Sequence, residues 1–149
     1  MNEYVIDARM IHAFTLTLLS NKKYQTVVCV SDDIAHDYPL QKIITSYVGD
    51  RVNCVFSDCK NYLDDFKDNT LIVFDSLTAL SNCLNEKIKD ITILFTSNWD
   101  QSVHKYSEGL YLSKKDIELI KKLQEKKRVF YYQFSNNERQ SLEKLIYEK

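Results

Sequence analysis

Val5-Ile6-Asp7-Ala8-Arg9-Met10-Ile11-His12 opens the chain with an apolar strand that breaks into a polar turn. The apolar segment that follows, Ala13–Leu19, is compatible with a helix. A turn from a strand into a helix lies at the carboxyl edge of a sheet, where ligands bind in open α/β folds. The free amide groups of the helix start and the positive end of its dipole face the same place. The stretch therefore predicts a ligand site at the first turn.

His12 and Arg9 are the candidate reactive residues of this turn. An imidazole that follows a guanidinium by three residues at a helix start can meet a phosphate group, which makes His12 a candidate phosphate-handling residue. Two other interpretations stay open. A histidine near a helix start often only caps the helix or faces solvent, and Arg9 could pair with Asp7 on the surface, where such a pair stabilises little.

Beyond the first turn, apolar strands and amphipathic helices alternate with short connections, which predicts an α/β fold. We expect one domain over residues 1–149, an open and mostly parallel sheet with helices on both faces. The predicted strands are Tyr4–Ile6, Thr26–Val30, Val52–Phe56, Thr70–Phe74, Ile91–Phe95, Leu110–Leu112 and Val129–Phe134. Four longer helices are predicted, namely Ile11–Ser20, one that starts at Pro39 and stops at Gly49, Asp116–Lys126 and Glu138–Tyr147. Two short helices are also predicted. One bears Tyr62, Leu63 and Phe66, and the other bears Leu77, Leu80 and Leu84.

Composition excludes several classes of function. The 149 residues carry a formal net charge of −1, which gives no electrostatic reason to expect nucleic acid as a partner. No apolar run approaches the roughly 20 residues that span a bilayer, and the first residues do not resemble a signal peptide. The four cysteines form no C-x-x-C pair, so we expect free thiols in a reducing cytoplasm, no metal site and no cofactor.

Several polar turns follow predicted strands and should converge at one edge of the sheet. Besides Asp7 and Arg9 they include the segments 31–33, 75–76 and 96–97. The polar run 96–109, around Trp99, is either a functional loop or a surface excursion. The two other histidines, His36 and His104, lie in polar stretches, and we expect both to be solvated.

The first stretch resembles the signature R-I-D-D-R-L-I-H-G-Q of the enzyme IIB component of the bacterial phosphotransferase system, in its mannose/fructose/sorbose family. Residues 27–37 are similar to the family's I-I-V-V-D-D-E-V-A-N-D. Residues 72–80 and 111–117 fall where the family has L-L-F-K-N-P-E-D-A-L and V-S-L-T-E-E-D-I. The resemblance covers nearly the whole chain, and its first motif is the most specific.

The resemblance implies a transferase of sugar transport. His12 would accept a phosphoryl group at Nδ1 from a phosphohistidine of the IIA component and pass it to a sugar bound by the membrane components IIC and IID. Arg9 would neutralise phosphoryl charge, with further substrate contacts from Asp7, Ala13, Phe14, Asp75 and Ser76. The protein would then act in the cytoplasm, at the inner face of the membrane through IIC and IID. The resemblance leaves the sugar and a homodimer open.

This chain departs from the family pattern at some positions, which keeps other functions open. The family has Gly-Gln after the histidine, whereas this chain has Ala13-Phe14, and Ala8 replaces a second acid. Asp75 puts an acid where the family often has a basic or neutral residue. The main alternative is a degenerate IIB-like module that regulates a transporter or transcription factor without efficient transfer. A flavodoxin-like nucleotide binder is less well supported, since the chain has no Gly-rich phosphate loop.

Overall fold

The computed structural model describes residues 2–10, 24–63, 65–83, 88–96, 103–134 and 138–147. The described strands are β1 (Glu3–Asp7), β2 (Thr26–Val30), β3 (Asn53–Ser57), β4 (Thr70–Phe74), β5 (Asp90–Phe95), β6 (His104–Ser107), β7 (Leu110–Leu112), β8 (Val129–Tyr132) and β9 (Gln140–Ser141). The described helices are α1 (Asp32–Ala35), α2 (Tyr38–Val48), α3 (Leu77–Asn82), α4 (Lys114–Glu125) and α5 (Leu142–Tyr147).

Seven of the strands form one sheet in the order β3-β2-β4-β1-β5-β8-β9, and β6 pairs with β7 as a separate hairpin. All pairs in the large sheet are parallel except β8 with β9. β1 lies at the centre, between β4 and β5. The strands that follow β1 in the chain, β2 to β4, all lie on one side of it. The later strands β5, β8 and β9 lie on its other side. The strand order therefore reverses beside β1, which makes its carboxyl end the expected ligand site of the fold.

Alternate residues of the central strands face two separate apolar cores. Ile6, Ile72 and Phe74 lie in the core that α3, α4 and α5 cover. Val5, Leu71 and Val73 lie in the other, which α1 and α2 cover through Ile34, Leu40 and Ile44. Helices therefore cover both faces, as strands that are apolar on both sides require. The predicted fold class, an open and mostly parallel α/β sheet, is confirmed.

Side-chain caps begin the helices at the places where the sequence indicates them. Ser113 Oγ accepts from the Asp116 amide at 3.1 Å, and Asp116 Oδ2 accepts from the Ser113 amide at 3.0 Å, a complete capping box. Asp37 caps α2, which has Pro39 in its first turn and ends at Gly49 with φ +89°. A positive φ is the conformation that glycine adopts at least cost, which explains the stop.

The predicted helix around Tyr62, Leu63 and Phe66 is wrong for the residues that the structure describes there. These residues are irregular: the side chain of Asp58 accepts from the Asn61 amide at 2.7 Å, as the cap of a helix would, but the described residues after Asn61 do not continue as a helix. Tyr62 is still buried, since its ring meets Phe74 edge-on with centroids 5.7 Å apart. Phe66 is half-buried, but Leu63 is 70% exposed, so the apolar spacing predicted only part of the buried side chains and not the backbone conformation.

Two further boundaries differ from the sequence-based prediction. The last helix begins at Leu142 rather than at residue 138, because Gln140–Ser141 pairs with β8 as an antiparallel edge strand. The polar run 96–109 contains β6, which pairs with β7 around a turn at Gly109, where φ is +75°. Trp99 lies outside the described residues, as does the predicted helix Ile11–Ser20, so neither prediction is tested. None of the described helices has the length and apolar character that a membrane span needs.

The capping box of α4 gives a stability prediction. Ser113→Ala removes the acceptor for the Asp116 amide, and we expect the free energy of unfolding to fall by about 1 kcal/mol, or roughly 2–4 °C in melting temperature. Lys115→Ala, an exposed change in the same first turn, is the matched control and should shift the transition little. Thermal unfolding followed by circular dichroism measures both, and equal shifts in the two variants would contradict the capping role.

Candidate functional site

The turn after β1 is organised around the carboxylate of Asp7, which is fully buried. Its Oδ1 accepts from the Arg9 amide at 2.9 Å, and its carbonyl accepts from the Met10 amide at 2.9 Å. Met10 closes the turn with φ +58°, and its side chain is buried in the core against α2. A buried carboxylate is stable only when it is hydrogen-bonded, so Asp7 fixes this turn rather than facing solvent.

Arg9 is held between an aromatic ring and this carboxylate. Its guanidinium carbon lies 3.8 Å from the centroid of the Phe95 ring, and its Nε lies 3.9 Å from Asp7 Oδ1. The second distance is about 1 Å longer than a charge-assisted hydrogen bond, so the pair is electrostatic rather than two-pronged. The Arg9 side chain stays 47% exposed. The alternative of a surface pair with Asp7 is therefore only half right, since Arg9 does contact Asp7 but the acid is buried.

The register of the sheet brings three strand ends together at this turn. Ile6 pairs with Phe74 of β4, so Asp7 and Asp75 each follow directly after a paired residue. On the other side Asp7 pairs with Phe95 of β5, across a bulge between Ile6 and Asp7. The Ala8 amide extends this pairing by donating to the Phe95 carbonyl at 3.1 Å. The predicted convergence of Asp7, Arg9 and Asp75 at one edge is therefore found.

Asp75 and Ser76 form the neighbouring turn, and both side chains are engaged locally. Ser76 Oγ accepts from the Ala79 amide at 3.0 Å, which caps α3, and donates to Asp75 Oδ1 at 3.2 Å. The Asp75 amide donates to the Val30 carbonyl at 3.4 Å. Both residues are half-buried, and Asp75 follows the strand that pairs with β1, so this edge of the sheet carries a second acid. A substrate role for them stays a prediction.

The remaining predicted site residues are not described. His12, Ala13 and Phe14 lie outside the described residues, which end at Met10 and resume at Tyr24. The described geometry is therefore that of the turn that precedes His12.

Thr96 ties the end of β5 to the hairpin of β6 and β7. Its Oγ1 accepts from the Tyr111 amide at 2.7 Å and donates to the Tyr111 carbonyl at 2.9 Å. The Thr96 amide donates to the Gly109 carbonyl at 2.9 Å. The hairpin thus closes over the strand that carries Phe95, on the side of the site away from β4. His104 in β6 is exposed, as predicted, and packs edge-on against Tyr106 with ring centroids 4.6 Å apart.

Sequence reasoning missed a cleft of about 520 Å³ at the ends of β2 and β3. Asp32, His36, Asp58, Cys59, Lys60 and Asn82 line it. The Cys59 amide donates to Asp32 Oδ1 at 2.9 Å, which ties the two strand ends together. His36 is exposed, as expected, and its Nε2 lies 3.6 Å from Asp58 Oδ2. The part of the chain that the structure describes contains no group of three side chains that could hold a metal ion.

All four cysteines are free thiols, as the sequence predicts. Burial raises the pKa of Cys59, and it raises the pKa of Cys83 to about 12, with Cys59 and Asp32 adding to the shift of Cys83. Burial also raises the pKa of Cys29 to about 12. A thiol is a nucleophile only as its thiolate, so these groups do not compete with an imidazole for phosphoryl chemistry near neutral pH.

Comparison with solved structures places this geometry in a known architecture. The chain superposes on the N-acetylgalactosamine IIB component of the phosphotransferase system from Streptococcus pyogenes with a TM-score of 0.86 at 17% identity, covering 97% of this chain and 95% of that one. This is the fold of phosphotransferase-system IIB domains. The IIB domain of the sorbose permease from Klebsiella pneumoniae gives a TM-score of 0.79 at 16% identity, covering 99% of this chain and 96% of that one.

A third structure with the IIB fold is an N-acetylgalactosamine-specific IIB component from Escherichia coli. It gives a TM-score of 0.77 at 13% identity, covering 95% of this chain and 99% of that one. No protein-family model matches the chain, and no curated protein sequence matches it. At such low identity the likeness is one of fold.

The raised thiol pKa values predict slow alkylation. A group whose pKa is raised holds less thiolate at a given pH, so Cys83 should be about one ten-thousandth ionised at pH 8, against roughly a quarter for an ordinary thiol. We expect iodoacetamide to label Cys59 and Cys83 far more slowly than glutathione at pH 8, with rates still rising above pH 9. Mass spectrometry of the folded and urea-unfolded chain measures this, and folded rates equal to the unfolded ones would contradict it.

Proposed function

We propose that residues 1–149 form a single IIB-type phosphocarrier domain and that His12 is its phosphoryl acceptor. The observation that carries the proposal is the position of Arg9, half-exposed and stacked on Phe95 at the reversal of strand order. His12 follows Met10, the last residue of this rigid turn, by two residues. Covalent geometry keeps their Cα atoms within about 7.6 Å of each other. The acceptor and the guanidinium are thus joined by a very short stretch of chain.

The chemistry is the transfer of a phosphoryl group from one imidazole nitrogen to another and then to a hydroxyl oxygen. Neutral imidazole attacks the phosphorus of a phosphohistidine on the IIA component, so that an N–P bond forms at His12 Nδ1 while the donor's N–P bond breaks. A sugar hydroxyl then attacks the same phosphorus, which forms an O–P bond, releases the His12 imidazole and loses the hydroxyl proton to a base or to water. The reaction needs no metal or cofactor. The sugar would be held by IIC and IID at the inner face of the membrane, which makes the protein a cytoplasmic transferase subunit of sugar transport.

Arg9 supplies the electrostatic part of this mechanism. The guanidinium presents N–H donors in a planar fork that matches two phosphoryl oxygens. Phe95 holds one face of that plane and Asp7 attracts its Nε, so the donors are oriented before a phosphoryl group arrives. Oriented donors stabilise a transition state without a further reorganisation cost. The negative charge of Asp75 opposes the binding of an anion at this edge, and the positive charge of Arg9 has to offset it.

The decisive experiment is phosphorylation of His12. Incubation with a phosphorylated IIA protein should add one acid-labile phosphate per chain, and His12→Gln should abolish it. His36→Gln and His104→Gln are the matched controls, because both histidines are exposed and belong to other elements, His36 at the end of α1 and His104 in β6, and both variants should be phosphorylated at the normal rate. Phosphate retained in His12→Gln would place the acceptor on another residue.

Arg9→Lys tests the guanidinium itself. Lysine keeps the charge but loses the planar fork and the stacking on Phe95, so we expect transfer to slow by roughly ten- to a hundredfold, the equivalent of about 1.5–3 kcal/mol for one charge-assisted hydrogen bond. Arg51→Lys, a change at an exposed arginine before β3, is the matched control. Rapid-quench phosphorylation gives the rates, and equal rates for both variants would reduce Arg9 to a surface charge.

A second candidate function is a regulatory module of the IIB fold that does not transfer phosphate efficiently. The acid at Asp75 and the pair Ala13-Phe14 in place of Gly-Gln favour it. Alanine supplies the same backbone amide as glycine, so we expect the cost to be one lost hydrogen bond from the glutamine plus steric crowding. The double variant Ala13→Gly with Phe14→Gln should therefore raise the phosphorylation rate by about tenfold at most. An inert natural chain that the double change activates by several orders of magnitude would favour the regulatory function instead.

A further inference from the structure

Two of the free thiols, Cys59 and Cys83, meet beside the cleft at the ends of β2 and β3. Cys83 Sγ donates to the Cys59 carbonyl at 3.7 Å, and the two thiols also hydrogen-bond to each other. Cys59 Sγ donates to the Ala79 carbonyl of α3 at 3.9 Å. Both side chains are half-buried, and Cys59 lines the cleft itself. Two thiols that lie 24 residues apart in the chain thus point at each other.

The backbone holds each of these cysteines in place. The Cys59 amide donates to Asp32 Oδ1 at 2.9 Å, which ties the turn after β3 to the end of β2. Cys83 caps the end of α3, where its amide donates to the Leu80 carbonyl at 3.0 Å. A disulfide requires side chains that are directed at each other from Cα atoms within about 7 Å. Thiols in hydrogen-bond contact already have this direction.

The other two cysteines, Cys29 and Cys54, form a comparison pair with almost the same spacing. They lie 25 residues apart in the chain, on the neighbouring strands β2 and β3. Cys29 pairs with Phe56, however, and Cys54 pairs with Val27, so the two cysteines are two positions out of register. Strand spacing and rise then put their Cα atoms about 8 Å apart, which is beyond the reach of a disulfide. The fold therefore favours one pair of thiols and disfavours the other.

The surroundings of the first pair favour an uncharged bond. Burial raises the pKa of Cys59, and it raises the pKa of Cys83 to about 12, with the charge of Asp32 adding to both shifts. A metal ion would need both sulfurs as thiolates and would place two more negative charges beside Asp32. A disulfide carries no charge. A disulfide is a strong oxidant when its reduced thiols are stabilised, so thiols whose ionised form is disfavoured leave the disulfide harder to reduce.

We propose that Cys59 and Cys83 form a reversible disulfide that links α3 to the turn after β3. The oxidant is a low-molecular-weight disulfide such as glutathione disulfide. The Cys59 thiolate, which lines the cleft, attacks one sulfur of the oxidant and releases one glutathione. The Cys83 thiolate then attacks the Cys59 sulfur of this mixed disulfide and releases the second glutathione. The two thiol protons pass to the two released thiolates, so one disulfide is reduced as another forms. In a reducing compartment such bonds are transient and redox-sensing.

The bond would join two walls of the cleft. Asn82 lines the cleft from α3, whereas Asp32 and Lys60 line it from the ends of β2 and β3. Oxidation therefore fixes these walls relative to each other, and reduction frees them. The same bond restrains α3, which begins at the Ser76 cap at the candidate edge of the sheet. Its formation does not depend on phosphoryl transfer by His12.

Oxidation of the folded chain with excess glutathione disulfide tests the pairing. Peptide mapping by mass spectrometry should find Cys59 linked to Cys83, with Cys29 and Cys54 still free, and dithiothreitol should reverse the bond. The exchange proceeds through the minor thiolate fraction, so it should become faster as the pH rises above 8. Cys83→Ser should stop at the mixed disulfide of Cys59 with glutathione. A folded chain that does not form the Cys59–Cys83 bond, or that links Cys29 to Cys54 as readily, would overturn the proposal.

Thermal unfolding tests whether the fold accepts the bond without strain. A bond that closes a loop of this length should raise the melting temperature of the oxidised chain by roughly 7–14 °C over the reduced chain. Cys54→Ser is the matched control and should keep the whole rise, whereas Cys59→Ser should abolish it. An oxidised chain that contains the bond but melts no higher than the reduced chain would contradict a link for which the fold is already arranged.

Discussion

The buried carboxylate of Asp7 is the constraint on which the candidate site depends. A charge in the interior is costly unless hydrogen-bond donors surround it. Asp7 accepts a hydrogen bond from the Arg9 amide and makes an electrostatic contact with the Arg9 side chain. These contacts hold the turn against the end of β1. The turn therefore keeps one conformation, with Met10 at positive φ and its side chain in the core.

The parallel sheet places this turn beside the ends of two neighbouring strands, β4 and β5. β1 is flanked on both sides by parallel strands, and the pairs of Ile6 with Phe74 and of Asp7 with Phe95 align three strand ends at one level. A bulge between Ile6 and Asp7 moves the register by one position, so that Asp7 pairs with Phe95, whose ring lies against the Arg9 guanidinium. An aromatic ring beneath a guanidinium limits its rotation, which is the kind of support that positions a binding group. The fold thus orients the cation while leaving it in contact with solvent.

The two edge strands of the sheet, β3 and β9, differ in length. β9 ends one side in two residues and is covered by its continuation into α5, whereas β3 ends the other side as a full strand between exposed apolar residues. A parallel sheet grown outward from a central strand always leaves two edges, and this chain protects one of them.

The sequence by itself determined the α/β class, most strand positions and the capped helices, because these depend on local periodicity and on residues such as Ser113, Pro39 and Gly49. It also determined that Asp7, Arg9 and Asp75 share one edge, because parallel strands end together. Only the tertiary structure decided that Asp7 is buried, that Phe95 stacks on Arg9, and that residues 140–141 form a strand. Those features depend on register and on partners distant in the chain. The segment around Tyr62 shows the same limit, since its apolar pattern predicted a helix with three inward residues, whereas the described residues there are irregular and Leu63 is exposed.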